Sequence, residues 1–268
     1  MIYRKHQENI TQLEKAIKSI ELELRRYISV EDEQRTYIYT KILSHLISSW
    51  IEVRVLKLAH EPSTFSNDEV QEILSAHTFR NKWVTALNIA ICKAYTIPKS
   101  GDISRNLSFT PRQRYLALIN IIDEDLHQAY EVRNRIAHGQ WKFAFKHDLT
   151  GISTELTGKL RQENIVDLQL KLKLFKGLAQ TIHDLAVSPS TFERDFDKNY
   201  TIIENQKNNI HKRSYEDYKQ RMVAKYQRGL NRRQENLVSI PVQPNNANAA
   251  NYPIGFLSKL CRLFRCLK

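Results

Sequence analysis

An all-α fold is predicted for this chain from three features. Seven glycines and seven prolines are few for 268 residues, which disfavours a turn-rich β architecture. Apolar residues recur at three-four spacing over most of the chain, the period of a helix packed on one face. Helix start and stop signals punctuate those stretches at intervals suited to a bundle. Hydrophobic residues make up 41% and charged residues 26%, enough apolar material for a true core.

Taken in order, Ile10, Leu13, Ile17, Ile20 and Leu24 predict a helix over residues 6–28. Ile38, Ile42, Leu46, Trp50, Val53 and Leu56 predict a second over 34–60, with an apolar face wide enough for burial on more than one side. Glu52 and Arg54 on that helix are candidates to support the site from a neighbouring element, with solvated helix charges the favoured reading. Ser66 and Glu69 form a capping box that opens a short helix to about residue 76. Trp83, Leu87, Ile91 and Ala94 mark another over 80–95, stopped by Pro98. Thr110-Pro111-Arg112-Gln113 reads as a second capping box. The helix it opens carries Tyr115, Leu118, Ile122, Leu126 and Ala129 and runs to His138, where Gly139 suits a left-handed cap.

Residues 141–146 then alternate with period two, His147 to Gly151 supply turn chemistry, and 152–156 form a return strand, so a small β-hairpin over about 140–157 is expected. A helix over 165–187 follows. Ser188-Pro189-Ser190 breaks the chain before one long basic helix over 190–238. Residues 239–253, rich in Asn, Ala and Pro, read as a flexible linker, and 254–268 as a short basic amphipathic tail. The expected organisation is thus a helical domain over 1–188, the basic helical extension, the linker and the tail.

The 41 Lys and Arg outnumber the 29 Asp and Glu, for a formal charge of +12, which favours an anionic partner. Three cysteines, Cys92, Cys261 and Cys266, are too few and too scattered for a disulfide framework or a zinc site. Cys92 reads as core packing. The polar residues 1–9 lack the pattern of a signal peptide, and no apolar run reaches the ~18 residues of a membrane span. A cytoplasmic protein is expected, with weak peripheral membrane contact through 254–268 and no metal or other cofactor.

Within Glu131-Val132-Arg133-Asn134-Arg135-Ile136-Ala137-His138-Gly139 the chain gathers a guanidinium, an amide and an imidazole at one helix end. Metal-free RNA cleavage needs these groups: a base to deprotonate the 2′-hydroxyl, an acid for the leaving 5′-oxygen, and fixed positive charge for the phosphate. On an ideal helix Arg133 and His138 lie about 140° apart, whereas Asn134 and His138 share a face. The stretch resembles the Arg-x4-6-His signature of the HEPN superfamily of helical domains, many of which are RNases. That resemblance implies a HEPN-like bundle acting as a homodimer, in which two Arg133, two Asn134 and two His138 line one cleft. It implies a metal-independent endoribonuclease that leaves a 2′,3′-cyclic phosphate, an effector of toxin or antiviral type, and a cognate inhibitor or defence partner. The tyrosine found two residues after the histidine in some members is Gln140 here.

Arg135 and the cations Lys212, Arg213, Lys219, Arg221, Lys225, Arg228, Arg232 and Arg233 are candidate RNA-backbone contacts. Arg133 is preferred to Arg135 for the phosphate because it falls on the bundle-facing phase. Two other readings compete. In one the chain is a non-catalytic RNA-binding or regulatory module, and in the other a helical scaffold acting through its tail. Arg133 and His138 would then be ordinary cations complementing a helix C-terminus.

Overall fold

The structure is a computed structural model and describes residues 2–238. The expected linker and tail, with Cys261 and Cys266, lie outside the described residues. The chain divides into two compact units, 1–227 and 228–268. In the first, helix α1 (Ile2–Ser29) packs along α2 (Glu33–Ala59), and α3 (Asn67–Ser75) and α4 (Phe79–Ala94) follow. After the short α5 (Ile103–Asn106), α6 (Phe109–Ile121) runs through a π-helical turn (Ile122–Leu126) into α7 (His127–Ala137). Helices α8 (Thr154–Gln162), α9 (Ile165–Val187) and α10 (Pro189–Asn209) complete the bundle, before α11 (Tyr215–Val238). In the second unit, the described residues from Arg228 on are helical. Among the described residues no helix is long and apolar enough to cross a membrane.

Local chemistry explains most of the boundaries. The Asp32 side chain accepts from the Arg35 N–H and caps α2, and Thr78 and Asn164 do the same for α4 and α9. Ser66 and Glu69 form the full reciprocal box. Helix α6 starts earlier than Thr110, at Phe109 after Ser108, and its cap residue makes no side-chain bond.

Helices α2 and α9 form the centre. Leu43, Ile47, Trp50, Ile51, Val55 and Leu58 of α2 are buried with Leu170, Leu174, Phe175, Leu178 and Ile182 of α9 in one cluster that α1, α4, α6 and α10 also enter. A smaller cluster of Val132, Ile136, Ala144, Leu156 and Leu160, roofed by Trp141, seats the end of α7 on α8.

Two expected elements are corrected. No strand occurs among the described residues where the hairpin was expected, and 140–157 contain a single antiparallel bridge between Phe145 and Ile152. The Lys146 N–H donates to the Gly151 carbonyl at 2.8 Å and the Ser153 N–H to the Ala144 carbonyl at 2.8 Å. The pairing stops there because Ser153 accepts from the Leu156 N–H and turns the expected return strand into the start of α8. Phe143 and Phe145 stay partly exposed, and an isolated two-stranded ribbon with no face to bury is marginal.

The long basic helix is also broken, into α10 and α11. His211 adopts a positive φ of 62°, and its backbone N–H donates to Asp167 Oδ1 at 2.9 Å. A buried carboxylate of α9 therefore takes the donor that a continuous helix would have used.

Candidate functional site

A row of polar side chains on α2 faces α7 and α8. Lys41, Ser44, Ser48 and Glu52 follow at three-four spacing, with His45 seven residues before Glu52, so the row occupies one side of the helix. Lys41, Ser44, Ser48 and Glu52 each reach a neighbouring element. Lys41 Nζ donates to the Leu160 carbonyl and pairs with Glu163 at 3.3 Å, with the two side chains 1% and 4% exposed. Ser44 Oγ donates to Glu163 Oε1 at 2.6 Å. Ser48 Oγ donates to the Ala129 carbonyl at 3.4 Å. Glu52 receives Arg133.

The Arg133 guanidinium is held at two points. Its Nη2 donates to Glu52 Oε2 at 3.1 Å and its Nη1 to Asn134 Oδ1 at 3.1 Å. Its side chain is 25% exposed, and that of Glu52 9%. Burial pushes the Glu52 carboxyl above the usual carboxylate range, and the adjacent guanidinium opposes that shift. Burial also holds the His45 imidazole below its ordinary value, and the nearby Arg133 charge pushes it the same way. Glu52 Oε1 and Arg133 Nε are buried without a hydrogen-bond partner, leaving one acceptor and one donor of the pair unspent.

His138 closes α7. The Gln140 N–H donates to the Arg135 carbonyl at 2.8 Å and the Gly139 N–H to the Ile136 carbonyl at 3.1 Å, with Gly139 at φ 76°. This is the Schellman closure, with glycine in the one position where a Cβ would be strained. Trp141 Nε1 donates to the Ile136 carbonyl at 3.0 Å, and the Tyr37 hydroxyl donates to the Trp141 carbonyl. The turn after His138 is thus fixed on both sides, while the imidazole itself is exposed. Among the described residues no side-chain hydrogen bond joins it to Arg133 or Asn134.

The chain matches no family model, no curated protein and no solved structure. Arg133 and Asn134 are brought together, and His138 stands apart at the helix end. Arg135 makes no side-chain ion pair among the described residues, and at three residues from His138 it is nearer in angle to it than Arg133 is.

The other candidate cations separate into groups. Lys212, Arg213 and Arg221 line a cleft together with Lys173. Lys219 is engaged by Glu33 and, at 3.8 Å, by Glu31. Lys225 is exposed, and Arg228, Arg232 and Arg233, also exposed, belong to the second unit.

Sequence reasoning missed Lys41, His45 and Lys173, and it named Glu52 as a candidate supporting group while favouring a solvated charge, whereas Glu52 holds Arg133. The signal for the first two lay in the polar row on α2. It was masked because that helix is apolar on its other sides. Arg54 packs its guanidinium 5.7 Å from the Trp50 ring.

Proposed function

We propose that the chain is a metal-independent endoribonuclease acting at the C-terminal end of α7, of the HEPN type that Arg133-Asn134-Arg135-Ile136-Ala137-His138 resembles. One observation carries this reading. The end of α7 carries an exposed imidazole and, on another face, a guanidinium that a buried carboxylate and an amide hold in place.

Phosphoryl transfer from the 2′-hydroxyl asks for positioned charge and two proton transfers. Arg133 supplies charge that is oriented before substrate arrives, so little reorganisation is needed when the phosphate becomes pentacoordinate. Asn134 fixes the guanidinium from the same helix, and Glu52 fixes it from α2. Arg135 is a second cation for the phosphate. His138 exchanges protons with the reacting oxygens.

One copy offers one such imidazole, directed about 140° away from its own Arg133. A homodimer with two helix ends facing one cleft brings each His138 to the partner's phosphate and gives one imidazole for the base and one for the acid. An RNase of this kind harms the cell that makes it, so a toxin or antiviral effector role with a cognate inhibitor belongs to the same reading.

The experiment compares wild type with His138→Ala on a mixed pool of structured and single-stranded RNA in excess EDTA, after identical purification. The expected result is cleavage by wild type alone, with 2′,3′-cyclic phosphate ends. Equal cleavage by both proteins, or by neither, sinks the reading.

A second reading is an RNA-binding module without chemistry. The observation that favours it is the ion pair within one chain, which spends the Arg133 charge on Glu52. It predicts salt-dependent RNA binding that survives His138→Ala with no cleavage.

A further inference from the structure

Another cationic feature has no residue of α7 in its lining. A cleft of about 530 Å³ opens between α9 and the start of α11, lined by Lys173, Lys212, Arg213, Arg221, Asp217 and Tyr218 among others. Four cations thus face one carboxylate, and all four are exposed.

Nearby cations on α10 and α11 are neutralised. Lys207 of α10 pairs with Glu124 at 2.6 Å and Asp125 at 3.0 Å, and Lys219 pairs with Glu33. The four in the cleft form no ion pair among the described residues. Like charges gathered in a concave wall repel one another and raise the local potential, so an anion entering the cleft relieves that repulsion.

The cleft is also built in advance. Its floor turn, residues 210–214, carries Lys212 and Arg213 and is clamped by Asp167, a buried carboxylate only 2% exposed. One Asp167 oxygen accepts the His211 backbone N–H at 2.9 Å. The other lies 2.9 Å from His211 Nδ1 and accepts from Asn164 Nδ2 at 2.9 Å. Ser214 Oγ then accepts the Asp217 N–H at 3.1 Å and starts α11. The two turn cations are therefore placed before any ligand arrives, which lowers the entropy cost of binding.

The volume suits a ligand of nucleotide size. Tyr218 adds an aromatic wall of the kind on which bases stack.

We propose that this cleft binds the phosphate groups of a nucleotide, free or as a unit of a single RNA strand, at a site separate from the end of α7. This does not depend on the ribonuclease reading, because none of the residues involved is placed in that chemistry.

The test uses the full chain and two probes, ATP by titration calorimetry and a short labelled oligouridylate by fluorescence polarisation. Lys173→Glu/Arg213→Glu is compared with Arg4→Glu/Lys15→Glu, which changes the net charge equally on exposed positions of α1. Circular dichroism confirms that both remain helical. The cleft pair is expected to weaken binding about tenfold or more and to lower the salt slope for the oligonucleotide by about 1.4, the share of two single-strand phosphate contacts. The α1 pair changes affinity by less than about twofold. Cleft-dependent binding of ATP but not the oligonucleotide assigns the site to a free nucleotide, and the reverse assigns it to the strand. Equal losses in the two pairs, or wild-type binding of neither probe, overturn the proposal.

Discussion

Arg133 shows what a single residue can and cannot reveal. Its place on the apolar phase of its helix was legible, because Ala129 and Val132 beside it are core residues. Its partner was not, since Glu52 lies 81 positions away and only the packing of α2 on α7 joins them. His45 was hidden for the same reason. It is one of three histidines, with His6 and His60, that burial holds below the ordinary value of 6.5. A depressed histidine favours the folded state while it is neutral. That contribution is complete above about pH 6.5 and is lost as the pH falls, because the unfolded chain takes up the protons first. Glu52, raised by burial, has the opposite sign. Its contribution is complete below the ordinary 4.5 and is lost as the pH climbs through its folded value. The melting temperature is therefore expected to fall between about pH 7 and about pH 5.5. His45→Gln should flatten that slope, and an unchanged slope would show that His45 does not contribute.

Among elements, the helices with strong caps were the most readable. Ser66 with Glu69 gave the start of α3, and Gly139 gave the end of α7, because both signals act within a few residues. The hairpin and the single basic helix were misread because each was decided by something the local pattern does not contain. Ser153 caps α8 in competition with a strand, and Asp167 reaches from α9 to break the helix at His211. The pairing of α9 with α10 was likewise outside local reach. It depends on Gly177, where an added Cβ would come within 2.7 Å of Ile203 Cγ1. Gly177→Ala is expected to destabilise the fold by about 1–3 kcal/mol through overpacking. Adding Ile203→Ala should recover part of that loss, measured as non-additive shifts in a denaturant titration.

For the molecule as a whole, the sequence announced an all-helical chain and a surplus of positive charge but not how the helices assemble. The central position of α2 and α9 follows from burial on several sides, which a wide apolar face on α2 hinted at, whereas α9 was expected only as a helix over 165–187. A homodimeric ribonuclease has a consequence at this scale. Specific activity should rise with protein concentration and then level off, with the midpoint at the concentration where sedimentation shows half the chains paired. Activity independent of concentration through that transition would place the whole reaction within one chain.

The π-helical turn between α6 and α7 bears on how this protein tolerates changes of length. The His127 N–H reaches back five residues, to the Ile122 carbonyl, so the segment holds one residue more than an α-helix of the same span requires. That extra residue is slack. Removing Glu124 lets the turn tighten into ordinary α-helix while Leu118 on one side and Val132 on the other keep their orientation. Adding an alanine at the same point finds no such reserve and rotates everything beyond it by about 100°. The shortened chain should melt near the wild-type temperature and the lengthened one well below it. A lineage of such proteins would then be free to lose a residue here, and constrained against gaining one.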